Sequence, residues 1–149
     1  MKKLIYAGLL ILLPQSAMAW QDTEKEAIKE AVTETYINPL YMGGSLDAIR
    51  EGLHEEFEMY VYIRNEFSKR SKAQWLERLE EVRAQPKNPN APERKNTFKF
   101  ALIDYTGPTA VVKLEVYRND KLNFTDYLTL YKIDGDWKLL SKFFTWHGG

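Results

Sequence analysis

Lys113 and Asp126 sit on neighbouring segments of alternating polarity. A hairpin around residues 119–121 is expected to pair Arg118 with Leu122 and to stand Lys113 opposite Asp126. An ammonium and a carboxylate in a wall of Val111, Glu115, Phe124, Leu128, Leu139, Ser141 and Phe143 can orient a polar ligand or tune a pKa. On a solvated face the same pair would be an ordinary cross-strand ion pair, worth about a few tenths of a kcal/mol. Tyr36 and Trp75 fall on helical segments expected to cover that wall, and aromatics with polar tips suit planar or amphipathic guests. The expected ligand-binding set is therefore Tyr36, Trp75, Lys113, Asp126 and Phe143.

Catalysis has a thinner basis. His54 with Asp126 could form a general acid/base pair. His54 nevertheless falls at the exit of a short helix, where capping and packing explain it better, so no residue is assigned a catalytic role. His54 and His147 are separated by most of the chain, with no clustered carboxylates, so no metal site is expected. The chain has no cysteine, which removes thiol catalysis and thiolate metal ligation. Gly43-Gly44 lacks the lysine and helix context of a phosphate loop, and no cofactor is expected.

These side chains must be positioned by a short series of elements. Lys2 and Lys3, the apolar run 4–13, Pro14 and Ala17-Met18-Ala19 have the form of a bacterial secretory leader over residues 1–19. At roughly 1.5 Å per residue the apolar run would reach only about half the apolar thickness of a bilayer. The expectation is a periplasmic or secreted domain over residues 20–149, away from the membrane once the leader is removed. Loss of Lys2 and Lys3 leaves 19 basic against 21 acidic residues. Such a balance lacks the basic stripe that nucleic-acid binding requires.

Thr23 and Glu26 have capping-box spacing ahead of Ala27, Ile28, Ala31, Val32 and Tyr36, which recur at helical period, and Asn38-Pro39 is expected to stop that helix. Ser45 caps a second helix, and residues 57–63 alternate as a strand. Ser71 and Gln74 open a third helix carrying Trp75, Leu76, Leu79 and Val82. Residues 86–95, with three prolines, read as an exposed loop. Four strands follow at 97–105, 109–118, 124–133 and 137–146. The Asp134-Gly135 dipeptide between the last two is a strong hairpin signal. Helices early and strands late define an α+β domain, expected as a cone-shaped barrel with three N-terminal helices on the concave face of a strongly bent antiparallel sheet. The wide end of such a cone is a natural ligand cavity.

Three stretches carry a resemblance: 28–41; 49–60 with Leu53-His54-Glu55-Glu56-Phe57; and 124–144, which reads Phe-Thr-Asp-Tyr-Leu-x-Leu-x-Lys-Ile-Asp-Gly-x-Trp-Lys. With the element order, they make the chain similar to the nuclear transport factor 2-like superfamily, within its lumazine-binding, polyketide cyclase-like branch. Glu55 departs from that pattern, which usually has proline there, and residues 86–95 form an insertion that could rebuild the pocket rim. The superfamily includes isomerases, dehydratases, transport adaptors and binding domains on one scaffold. The resemblance implies the fold and does not choose among these roles; the first expectation is a small-molecule-binding protein with a conical apolar pocket, non-catalytic. The alternatives are an isomerase- or dehydratase-like enzyme using Asp126 or His54, or a homodimeric interaction module. The last would pair through the convex sheet face, with Tyr127, Thr129, Tyr131, Leu140 and Trp146 as the patch.

Overall fold

The computed structural model describes residues 15–148, with side chains from residue 23 onward. Most of the expected leader lies outside that range. Its last five residues, 15–19, form the start of helix α1 (Gln15–Val32). Thr23 is therefore inside a helix rather than capping one, because residues upstream of it continue the same helical path. Among the described residues no helix is long and apolar enough to cross a membrane.

Pro39 does not stop the first helix either. It has no N–H to give to the carbonyl four residues back, and the helix widens instead. Residues Thr33–Ile37 form a π-helical turn in which the Asn38 N–H reaches the Thr33 carbonyl. The chain then resumes as α2 (Asn38–Tyr41), with Pro39 in its first turn. Helix α3 (Leu46–Gly52) follows, N-capped by Ser45, whose hydroxyl accepts from the Asp47 N–H at 3.0 Å. Helix α4 (Lys72–Ala84) opens on the expected capping box of Ser71 and Gln74.

The six strands are β1 (Leu53–Ile63), β2 (Glu66–Ser71), β3 (Asn96–Thr106), β4 (Thr109–Arg118), β5 (Lys121–Ile133) and β6 (Asp136–Trp146). They form one sheet in the order β2-β1-β6-β5-β4-β3. The sheet is mixed and open rather than an antiparallel barrel, since β1 and β6 run parallel while all other neighbours are antiparallel. Sequence reading missed β2, an exposed edge strand in which Phe67 is the one large apolar residue. Its signal was the Arg64-Asn65 turn, where both residues take positive φ.

Bulges interrupt four of the five strand pairings. Each extra residue bends its strand and increases local twist. Helix α1 packs against both β6 and the edge strand β3, lying across the hollow of the sheet. The core fills that hollow with Ile28, Val32 and Tyr36 from the helical side. Val112, Leu114 and Val116 of β4, Leu128 and Leu130 of β5, Leu139 of β6 and Phe57 of β1 meet them.

The expected register of β4 and β5 is corrected. Asn119-Asp120 makes a two-residue turn with φ of 50° and 63°, so Arg118 faces Lys121 rather than Leu122. A bulge at Asn123 then adds one residue to β5, and Lys113 pairs with Tyr127 while Asp126 pairs with Leu114. Lys113, Val111 and Glu115 consequently stand on the outer face, and Asp126 points into the core. Lys113 lies 6.0 Å above the Tyr127 ring and 4.0 Å from a Glu115 carboxylate oxygen.

Gly52 shows how closely the roof is fitted. A Cβ at this position would lie 1.9 Å from Thr35 Oγ1 and 2.6 Å from Thr35 Cβ, where α3 ends against the π-helical turn. Gly52→Ala should therefore cost about 1–3 kcal/mol by overpacking. The check is urea unfolding, with a lower midpoint and an unchanged slope expected.

Candidate functional site

At the base of the cone three polar side chains from three elements converge. Tyr36, on the π-helical turn, donates its hydroxyl to Asp126 Oδ2 at 2.7 Å. Lys142 of β6 donates to the Tyr36 hydroxyl oxygen, and its Nζ lies 3.2 Å from Asp126 Oδ1. Tyr36 and Asp126 are fully buried, and Lys142 keeps 7 % of its surface. The approach of Lys142 to Oδ1 is an ion-pair contact without hydrogen-bond geometry, so Oδ1 is a buried carboxylate oxygen with no hydrogen bond. Such an orphan is uncommon in a folded interior and calls for an explanation.

Lys142 reaches this position because of a bulge. Leu130 pairs with Leu139 but Thr129 pairs with Ser141, which leaves Leu140 as the extra residue on β6. Before the bulge Trp137 and Leu139 point inward; after it the inward positions are Lys142 and Phe144. Without that residue, Ser141 and Phe143 would have faced the core, as strict alternation implies. Phe143 instead lies outside, 46 % exposed, with its ring stacked on Tyr60 at 4.5 Å and 5°.

Aromatic rings surround the charge cluster. The Lys142 ammonium sits 4.8 Å from the Tyr36 ring centroid and 4.9 Å from that of Phe144. Trp75 of α4 approaches Tyr36 at 6.1 Å and stacks on Phe57 at 5.3 Å. Tyr41 meets Tyr36 edge-on at 6.2 Å and contacts Phe98 of β3 at 5.3 Å.

Burial dominates the electrostatics. It lowers the Lys142 pKa below the ordinary lysine range, although the Asp126 charge pulls in the opposite direction. Burial, followed by the Asp126 charge, raises the Tyr36 hydroxyl well above the usual tyrosine value. Tyr41 is raised for the same reasons, while the charge of Arg118 acts to lower it. The arrangement holds an amine that gives up its proton more easily than an ordinary lysine beside two hydroxyls that keep theirs.

Of the expected ligand-binding residues, the structure brings Tyr36, Trp75 and Asp126 together and places Lys113 and Phe143 on the opposite face of the sheet. Lys142, absent from that set, takes the place expected for Lys113. His54 does not join Asp126: its Nδ1 accepts from the Glu56 N–H at 3.1 Å, and Asp126 is engaged by Tyr36 and Lys142. Among the described residues no cluster of acidic and histidine side chains could hold a metal ion. Open space also lies elsewhere: a groove of about 400 Å³ runs between α1, α3 and the β5–β6 turn, lined by Glu30, Glu34, Glu51 and Lys138 among others. None of the triad lines it.

The open cone with a helical roof is that of the nuclear transport factor 2-like proteins. One such protein, of unknown function, from Shewanella baltica OS155 superimposes with a TM-score of 0.66 at 19% identity, covering 86% of this chain and 97% of that one. Another, from Silicibacter pomeroyi DSS-3, gives 0.65 at 14% identity, over 85% and 98%. Within that fold, residues 23–145 match the family described as "Putative lumazine-binding", and the chain belongs to it. Among characterised proteins it is similar to Aldolase FrzH of Cladobotryum sp, 32% identical over 116 residues, which are 76% of this chain and 85% of that protein.

Removing one member of a buried ion pair leaves the other uncompensated. Asp126→Asn and Lys142→Met should each lower stability by about 3–5 kcal/mol. The triple Tyr36→Phe/Asp126→Leu/Lys142→Met should recover most of that loss in urea melts. The Asp126→Asn deficit should also shrink as pH rises from neutral towards 9. With its carboxylate partner gone, Lys142 sheds its proton in the folded state at lower pH than in the unfolded chain. The unfolded state then binds more protons, so stability climbs with pH.

Proposed function

We propose that the protein binds a small organic molecule inside the cone, using Tyr36, Asp126 and Lys142 as polar anchor and Trp75, Tyr41, Phe98, Phe124 and Phe144 as apolar wall. The observation that carries this reading is the unsatisfied Asp126 Oδ1 beside an ammonium that burial disfavours. A purely structural core would be no less stable with apolar residues in these places. A guest hydroxyl could donate to Oδ1, and a guest carbonyl could accept from Lys142. The aromatic surroundings favour a planar or amphipathic body.

Entry requires the roof to part, since the triad is closed off in this conformation. The π-helical turn that carries Tyr36 is the natural place, because such turns are irregular and frequently mark functional sites. The leader sequence supports export to the periplasm or beyond. Exposed Tyr127 and Tyr131 on the outer face support self-association there, whereas Trp146 pairs with Phe124 and lies at the edge of the inner face. Native mass spectrometry of protein purified from its source cells tests these points together. The expected spectrum shows a mature chain beginning at Trp20, a dimer, and a retained small molecule that Asp126→Asn no longer holds. A ligand-free spectrum, with no small molecule recovered on denaturation, would count against the binding reading.

A second reading is favoured by Lys142 itself and by the likeness to an aldolase. A lysine with a lowered pKa is a candidate nucleophile towards carbonyl carbon. Its neutral amine would add to an aldehyde or ketone, and loss of water would leave a Schiff base, with Tyr36 as the nearby proton donor. Borohydride reduction in the presence of glycolaldehyde should then fix a stable adduct on Lys142, found by peptide mass mapping. Labelling of exposed lysines alone would rule that chemistry out for this aldehyde.

A further inference from the structure

The inner face of the cone carries a second group of polar side chains nearer its rim. Arg118, the last residue of β4, pairs across the sheet with Asn96 of β3 and Lys121 of β5. The Arg118 Nε, the Asn123 Nδ2 and the Asn96 Oδ1 are each buried without a hydrogen bond. Among the described residues no carboxylate forms an ion pair with Arg118. A cavity of about 370 Å³ opens beside it, lined by Arg118, Lys121, Asn123 and His147 among others, with no acidic side chain in its wall among the described residues.

The cavity is built rather than incidental. The segment after β6 closes one side: the His147 N–H donates to the Asn123 carbonyl at 2.9 Å, and the His147 ring meets Thr125 Oγ1 at 2.9 Å. On the other side Asn119 ties the hairpin to Lys95, donating its N–H to the Lys95 carbonyl and accepting from the Lys95 N–H. That tie fixes the end of the proline-rich loop against the rim. The Arg118 charge also acts on the Tyr41 hydroxyl, which links the rim to the aromatic wall above Tyr36.

We propose that this rim cavity receives the carboxylate of the small molecule whose body enters the cone, which makes the ligand class an aromatic or amphipathic carboxylic acid. The inference rests on the cone-binding reading above. A guanidinium presents a planar fork of donors matched to two carboxylate oxygens, and Asn123 adds an amide donor. The unpaired Arg118 Nε and Asn123 Nδ2 are covered in this conformation, and a side-chain shift at the cavity edge would present them to an incoming acceptor, which gains hydrogen bonds that the protein leaves unmade. Among the described residues the wall has two cationic side chains and no acidic one, so a negative group is attracted there. The polar triad then lies further in, where it would meet the opposite end of the guest.

The test uses two probes of one shape, 1-naphthoate and 1-naphthamide, titrated into ¹⁵N-labelled full-length protein. Tryptophan fluorescence gives the affinity, and the Arg118 Nε–Hε signal reports the site. Naphthoate should bind about tenfold or more tightly than the amide and should shift the Arg118 signal. Arg118→Gln should abolish that preference, bringing naphthoate affinity down to that of naphthamide. Asn123→Asp, which sets a negative charge against the carboxylate, should do the same. Equal binding of the two probes, or a preference that survives Arg118→Gln, overturns the inference and leaves the cone reading standing. If neither probe binds, the cone reading fails and the inference falls with it.

Discussion

An ammonium shut inside a protein must be justified by what surrounds it, and the Lys142 ammonium has only part of the usual compensation. It donates to the Tyr36 hydroxyl and lies 3.2 Å from Asp126, yet one Asp126 oxygen is left without a hydrogen bond. Two charges and a hydroxyl brought out of water cost more than their mutual attraction returns unless every lone pair is used. The cluster joins β5, β6 and the π-helical turn at the centre of the hollow. Any movement of the roof or slip of the sheet would break it, so the fold is committed to holding these groups together.

The geometry of the sheet follows from that commitment. Bulges at Asn123 and Leu140 each reverse the in–out alternation of their strand. The first sends Lys113 outward and leaves Asp126 inside; the second turns Lys142 inward and Phe143 outward. Pro39 makes its contribution by denying the helix a normal hydrogen bond, which opens the π-helical turn that carries Tyr36. Local irregularity at three places thus produces one site, and bulges next to functional sites are a recurring way to re-aim a side chain.

These irregularities also mark where the sequence was legible and where it was not. The α+β order, the Ser71 cap, the Asp134-Gly135 turn and the aromatic core were written in propensity and period, which act locally. Trp75 could be placed because it lies on a regular helix. Tyr36 and Asp126 could be placed by the period carried over from Ile28 and Val32 and from Leu128 and Leu130, although Tyr36 sits on the π-helical turn and Asp126 follows a bulge. Lys142 could not, since alternation carried forward from Trp137 and Leu139 points it to solvent until one residue is skipped. The Asn123 bulge defeated the Lys113–Asp126 pairing for the same reason. Edge strand β2 was hidden by its polarity, because it buries no face and has no apolar alternation to read.

The family's description suggests small-molecule binding, and the buried triad is the feature from which a specific chemistry can be argued. Whether that chemistry is recognition alone or includes carbonyl addition turns on the amine. A ¹³C-NMR titration of the Lys142 Cε signal, assigned with Lys142→Arg, measures it directly. The account predicts a midpoint below that of the exposed lysines, because burial outweighs the attraction of Asp126. A midpoint at or above theirs would contradict it, and would make the triad an ordinary structural ion pair.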